Sequence, residues 1–380
     1  MSEAQLKYPL DAPEHGSFRL LELPPELCAL IESSADSTLS LSIKGGPDDD
    51  AVLCTSDRTY TMRSVVLSNS VLVVTPSADL ATGPNNDMPR IEVQESLSEI
   101  LELAPTVPKL HRLRGLLRGM QWEEGHEDED EEVGYDEFDR PKKRPRYTYE
   151  QARSELQASE HELAAAIRDQ RVLVMNGNLR PMPPSYLHTI LELLLMYLAS
   201  LQQPHDAASV LDMVCALEDE HEIGREVTTQ VMQWFGDVDG GKWKMDVDAV
   251  VRQVGLGILR HHKQDEPADV NEFLTKWTSA VGDTFSARVS LSLLSGNYLS
   301  STSPFTSNNL ISYFPCAELP TDPAARFTDL FLTRRRWKAE DIAPFLSDIA
   351  VNAKERDKLL LRYARALTDK EGAWYTSRVK

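Results

Sequence analysis

The stretch SIKGGPDDDAVLCTSDRTYTMR (42–63) holds three consecutive carboxylates, Asp48 to Asp50, then a thiol, Cys54, and a further carboxylate, Asp57. Carboxylates suit hard cations and thiolates suit soft ones, so a metal site here would need more ligands converging from elsewhere. Turn chemistry explains the stretch without them. Gly45 and Gly46 permit positive φ, Pro47 fixes φ, and the aspartates solvate the tip. GDVDGGK (236–242) fits the G-x-x-x-x-G-K part of a phosphate-binding loop. Trp243 stands where Ser or Thr must bind magnesium, a helical pattern precedes it, and Asp237 and Asp239 would repel phosphate. The same residues fail as a calcium loop, because Gly241 and Lys242 fall at its fifth and sixth positions. There is no H-E-x-x-H, and the adjacent His261 and His262 cannot face the same way on a helix. No G-x-S-x-G nucleophile elbow occurs. Cys28, Cys54, Cys215 and Cys316 share no C-x-x-C spacing, so neither a zinc knuckle nor a redox motif is available. These residues predict no catalytic, cofactor-binding or metal site, and a protein that is not an enzyme.

Charge gives a different signal. The formal net charge is −20, which argues against a general nucleic-acid coat. Residues 123–139 hold eleven Asp or Glu and no Lys or Arg, whereas residues 322–380 hold thirteen Lys or Arg against nine acids. Arg334, Arg335, Arg336 and Lys338 cluster at the end of one helical pattern. Lys354, Arg356, Lys358, Arg362 and Arg365 line the next. Lys358, Arg362 and Arg365 are spaced to share a helical face. Lys370, Arg378 and Lys380 follow. Together these twelve are the candidate contacts for DNA phosphates or for an acidic protein surface. PKKRPR, with Lys142, Lys143, Arg144 and Arg146, has the look of a basic nuclear-import signal.

The elements that must position these residues fall into two styles. Residues 17–94 read as strands, short runs of Val, Leu, Ile, Thr and Tyr punctuated by Gly, Pro, Asp and Asn. From about residue 95 the spacing predicts helices, in SLSEILELAP and PKLHRLRGLLRGM. WEEGHEDEDEEVGYDEFDRPKKRPRY is polar and low in complexity, a composition that predicts disorder. Two helices then precede a hairpin turning at Asn176-Gly177, with Ser159 and Glu162 forming a capping box on the second helix. PSYLHTILELLLMYLASLQ follows as a core helix. Helix, helix, hairpin is the order of a winged-helix module. It recurs less clearly in 206–304, where SARVSLSLLSGNYLS reads as helix, and again in 305–380, ending in DKEGAWYTSRVK as a wing. The expected class is α+β: an N-terminal β-barrel-type assembly domain (1–95) followed by tandem winged-helix modules. Their expected bounds are 96–205 with an insert at 122–147, 206–304 with a helical extension, and 305–380. The first thirty residues predict no secretory signal.

Several segments resemble one family in order along the chain. LLELPPEL (20–27) with AVLCTSDRTYTMRSVVLSNSVLVV (51–74) looks like the N-terminal signature of the defective-in-sister-chromatid-cohesion family. VNEFLTKW (270–277) is similar to its middle region. RFTDLFLTRRRWKAEDIAPFLSDI (326–349) followed by LLLRYAR (359–365) resembles its C-terminal signature. The resemblance implies a non-catalytic subunit of an alternative clamp loader, a replication factor C-like complex in the nucleus. Its N-terminal domain would join chromosome transmission fidelity proteins 8 and 18. Its C-terminal winged helices would contact the catalytic subunit of DNA polymerase epsilon and DNA. The sliding clamp would be met indirectly, in support of DNA replication and sister chromatid cohesion. A stand-alone winged-helix transcription regulator is the alternative that the residues leave open.

Overall fold

The computed structural model describes residues 5–8, 17–33, 39–76, 90–123, 146–302, 308–369 and 372–378. The acidic run from residue 124 onward, Lys142, Lys143, Arg144, Lys370 and Lys380 lie outside them. The chain is mixed α+β and divides into two compact units. One comprises Met1–Pro108 with Glu155–Glu162, the other Lys109–Ser154 with Leu163–Lys380. The first division therefore falls at Pro108 and not near residue 95.

The N-terminal unit contains β1 (Gln5–Lys7), β2 (Leu21–Glu22), α1 (Pro25–Ser33), β3 (Ser42–Lys44), β4 (Val52–Cys54), β5 (Thr59–Pro76) and β6 (Arg90–Pro105). They form one six-stranded sheet in the order β1-β6-β5-β4-β3, with β2 also on β6. Among the described residues the sheet is open, so the expected barrel is not closed by this chain alone. Helix α1 interrupts the stretch expected to be all β. Pro25 supplies a preset φ at its first position, and Leu27 buries fully against Leu53, Tyr60 and Leu103. SLSEILELAP is strand β6 and not a helix. Leu97 and Leu101 are four apart, a spacing shared by helix and strand, and pairing with β5 decides between them. PKLHRLRGLLRGM yields only the five-residue α2 (Arg112–Leu116).

The capping box is present and does more than cap. The Ser159 Oγ accepts from the Glu162 N–H at 3.2 Å, and the Glu162 carboxylate accepts from the Ser159 N–H at 3.0 Å. That carboxylate also accepts from the Thr59 hydroxyl at 2.6 Å, and Lys44 Nζ donates to the Ala158 carbonyl at 2.7 Å. These bonds are why residues 155–162 belong to the β-rich unit.

The C-terminal unit reuses one order of elements four times. The first set is α3 (Tyr149–Glu155), α4 (Glu160–Asp169), β7 (Val172–Met175) and β8 (Asn178–Pro181), followed by α5 (Pro184–Ser200). The second is β9 (Ala208–Ser209), α6 (Val210–His221), α7 (Arg225–Trp234), β10 (Gly236–Asp239) and β11 (Lys242–Met245), followed by α8 (Val247–Leu259). The third is β12 (Ala268–Asp269), α9 (Val270–Val281), 3₁₀ turns at Ser286–Arg288 and Leu291–Leu294, β13 (Tyr298–Thr302) and β14 (Asn309–Tyr313), followed by α10 (Pro323–Thr333). The fourth is β15 (Arg336–Lys338), α11 (Ala339–Ile342) running into a 3₁₀ turn, α12 (Ala353–Tyr363), β16 (Ala364–Asp369) and β17 (Gly372–Ser377). In every set a residue just before the first helix pairs with the second hairpin strand: Thr148 with Asn178, Ala208 with Trp243, Ala268 with Ile311, Trp337 with Tyr375.

Two hairpins turn through consecutive left-handed residues, Asn176-Gly177 (φ 48° and 78°) and Gly240-Gly241 (φ 54° and 73°). The phosphate-loop lookalike is thus a hairpin turn. The helix expected over SARVSLSLLSGNYLS is two 3₁₀ turns that stop at Gly296 (φ 78°), after which the chain becomes β13. The expected boundary at 304/305 therefore falls between the two strands of one hairpin. The first three sets share a continuous core from Trp122 to Ile311, while the fourth has its own around Phe327, Trp337, Phe345 and Leu360. Trp243, Trp277 and Trp337 are fully buried, and each indole N–H reaches a backbone carbonyl at 2.8–2.9 Å.

Candidate partner-binding surfaces

The residues that opened the sequence question form turns. The Asp49 N–H bonds the Gly46 carbonyl, and Thr55 Oγ1 accepts from the N–H groups of Asp57 and Arg58 at 3.3 and 3.0 Å. Cys54 is buried on β4, and burial pushes its thiol pKa up, away from a thiolate ligand. Among the described residues no three His, Cys, Asp or Glu are placed to hold a metal ion, and no helix is long and apolar enough to cross a membrane.

The N-terminal sheet leaves a different kind of site. β5 pairs with β4 only over Thr59–Thr61 and with β6 almost throughout. β6 meets β1 at Arg90–Glu92 and β2 at Leu101–Glu102. Among the described residues, the β5 edge over 63–75 and the β6 edge over 93–100 therefore have no further strand beside them. The result is a two-stranded ribbon with open edges. At SNS within β5 the register shifts: Val66 pairs with Glu99, and Val71 with Leu97, so four residues of β5 lie opposite one of β6. Both halves of β5 stay on the same partner. Val66 is 74% exposed and Val74 43%, large apolar side chains left in water on a ribbon. Unpaired N–H and C=O groups along such edges are templates for added strands.

The basic C-terminal residues separate into two groups. Helix α12 ends at Tyr363, where Ala364 is already extended (φ −122°, ψ 161°), so Arg365 sits on β16 and not on the helical face expected. The alternating run after Tyr363 pairs with β17, and that pairing ends the helix. Lys354, Lys358 and Arg362 remain exposed at four-residue intervals on α12. Arg356 is held by Asp357 at 3.4 Å, and Arg378 donates to the carbonyls of Leu361 and Arg362 at the end of α12.

The second group lies on the terminal sheet. Arg336 and Arg365 both stand opposite Thr376, and Lys338 and Leu367 both stand opposite Trp374. Directly opposed residues project to one face, so these side chains share the face away from buried Trp337. The Arg336 guanidinium lies 4.3 Å from the Trp374 ring centre and the Lys338 ammonium 5.5 Å. Arg335 is exposed. Arg334 serves the fold: it ion-pairs with Asp341 at 3.5 Å, stacks 4.8 Å from Trp337 and donates to the Ser300 carbonyl. Charge and helical spacing alone do not single out Trp374. Its signal is W-x-T in the last strand, in register with R-x-K in β15. Of the import-signal residues, Arg146 is described and exposed.

The family model described as "Sister chromatid cohesion protein Dcc1" matches residues 18–346. The chain belongs to the Dcc1 family. The match spans the ribbon and the first three helix–hairpin sets, and ends within the fourth, before α12. Similar proteins include the sister chromatid cohesion proteins DCC1 of Mus musculus and Homo sapiens. Each is 26% identical over 371 residues, covering 96% of this chain and 88% and 89% of those relatives. The DCC1 of Saccharomyces cerevisiae is 25% identical over 154 residues, 39% of each chain. The resemblance read from the segments at 20–27, 51–74, 270–277, 326–349 and 359–365 is borne out by membership of the Dcc1 family.

Proposed function

We propose that this chain is a non-catalytic subunit of an alternative clamp loader, a replication factor C-like complex acting in the nucleus in DNA replication and sister chromatid cohesion. The observation that carries the reading is the open-edged ribbon of β5 and β6. Strands from chromosome transmission fidelity proteins 8 and 18 would pair with those edges and complete a barrel that this chain leaves open. The fourfold order of short strand, two helices and hairpin supports winged-helix modules in the C-terminal unit. The last of them would present the basic face of α12 to the catalytic subunit of DNA polymerase epsilon or to DNA, with the sliding clamp engaged through the rest of the complex.

Co-expression with the two chromosome transmission fidelity subunits, followed by size exclusion with mass determination, tests the assembly. A stable complex is expected. Val66→Lys with Val74→Lys, both exposed, should remove this chain from it while leaving the thermal midpoint of the isolated chain unchanged. A monomer that ignores both partners would overturn the reading. It would favour the stand-alone DNA-binding regulator, for which the basic face of α12 is the supporting observation.

A further inference from the structure

Two adjoining clefts in the C-terminal unit share Asp169, Arg171 and Arg252 among their walls. One, of about 550 Å³, is also edged by Arg168 and Lys244. The other, of about 480 Å³, has Arg114 and Arg260 on its walls and Met182, Leu187 and Leu256 as apolar lining. Among the described residues Arg168, Arg171, Arg252 and Arg260 make no ion pair, in a chain whose net charge is −20. The carboxylates in the walls are Asp169, Asp237, Asp246 and Glu318, fewer than the six cations.

These guanidinium groups are positioned. Arg171 has a left-handed backbone (φ 56°), donates to the Arg168 carbonyl at 3.0 Å and lies 4.3 Å from the Phe235 ring centre. Burial, with Arg252 and Arg168 nearby and only Asp169 opposing them, lowers its pKa to about 10. Arg252 Nε donates to the Leu293 carbonyl at 3.0 Å, and Arg114 to the Ala317 carbonyl at 3.1 Å. Uncompensated, partly buried cations are costly unless an anion completes the site. Backbone carbonyls hold the guanidinium forks, and carboxylates are their natural bidentate ligands.

We infer that the paired clefts bind a short acidic peptide of a protein partner, its carboxylates on Arg171, Arg252 and Arg260. The occupant's chemistry follows from the walls. A duplex is too broad to enter clefts of this volume. An arginine rim in excess over the wall carboxylates fits a run of Asp and Glu. The inference stands on the C-terminal unit alone and does not depend on the clamp-loader reading.

The test is fluorescence anisotropy of the full chain with a labelled peptide of Glu and Asp residues, at physiological ionic strength. Wild type should bind. Arg260→Glu, at a side chain that makes no bond within the described residues, should weaken binding about tenfold or more, and Arg252→Glu likewise. Lys354→Glu with Lys358→Glu on α12 should leave it unchanged. Four outcomes would overturn the inference. Binding could survive both arginine reversals. A peptide with Gln and Asn in place of Glu and Asp could bind equally well. Single-stranded DNA could displace the peptide at matched charge, giving the clefts to nucleic acid. Binding could appear only after the six acids at 127–132 are made amides, giving the clefts to this chain's own acidic run.

Discussion

Arg326 is fully buried, yet its guanidinium is satisfied on every side. It donates to the carbonyls of Pro320 at 2.6 Å, Phe345 at 2.9 Å and Leu319 at 3.2 Å, and grips the Asp348 carboxylate with both terminal nitrogens. Arg326→Leu strands those acceptors at once and is expected to cost about 3 kcal/mol, read as a lower thermal midpoint. The figure sits at the low end because Asp348 is 41% exposed and water can take over part of the loss. Cys316 leans on the same pair, 3.1 Å from Asp348. Burial, and then the Asp348 charge, push its thiol up to about 12 from an ordinary 9.0. It should resist iodoacetamide at pH 8 in the folded chain and react once urea is added, by mass spectrometry. The sign for stability follows. The folded state keeps this proton longer than the unfolded state, so its contribution is present below 9 and fades as pH rises toward 12. The Ser159–Glu162 cap is legible in sequence because its partners are three residues apart. Arg326 is not, because its partners are loop carbonyls up to 19 residues away, which no local pattern marks.

Elements meet through close approaches that leave little trace in sequence. A Cβ on Gly255 would sit 2.6 Å from Trp277 Cζ2, where α8 crosses α9. The indole cannot swing aside freely, since its N–H is bonded to the Val251 carbonyl at 2.8 Å. Gly255→Ala should therefore lower the urea midpoint by the equivalent of about 1–3 kcal/mol. Gly257→Ala should cost less, because the atom it meets belongs to the partly exposed ring of His188. If α12 meets DNA as proposed, reversing Lys354, Lys358 and Arg362 should weaken binding to any duplex sequence alike. It should also flatten the dependence of log K on log salt by about one unit for each phosphate no longer engaged. The helix itself is legible in sequence and its end is not, for the same reason that β6 resembles a helix. Leu97 and Leu101 suit either period, and Arg365 follows Arg362 at helical spacing. In both places the deciding influence is a neighbouring strand outside the local pattern, β5 in one and β17 in the other.

At the scale of the whole molecule, the fourfold recurrence of the C-terminal unit is partly visible in sequence. Three sets announce themselves through amphipathic helices and turn residues. The third of the four is harder to see, because the helix read over SARVSLSLLSGNYLS folds as two 3₁₀ turns and its hairpin straddles the expected boundary at 304/305. The ribbon is legible as strands but not as a pair of edges left open among the described residues, since what lies beside a strand is not written in the strand. Those open edges have a consequence for supply and turnover. On the proposed assembly, a newly made copy would wait for its neighbours while presenting Val66, Val71 and Val74 to everything else in the cell. Chaperones and proteases select for such exposure, so orphan copies should be short-lived. In a pulse-chase experiment the half-life of this chain should lengthen when the two chromosome transmission fidelity subunits are co-produced, and Val66→Lys with Val74→Lys should erase the difference. The abundance of the chain would then be set by how many partners are waiting for it and not by how fast it is made.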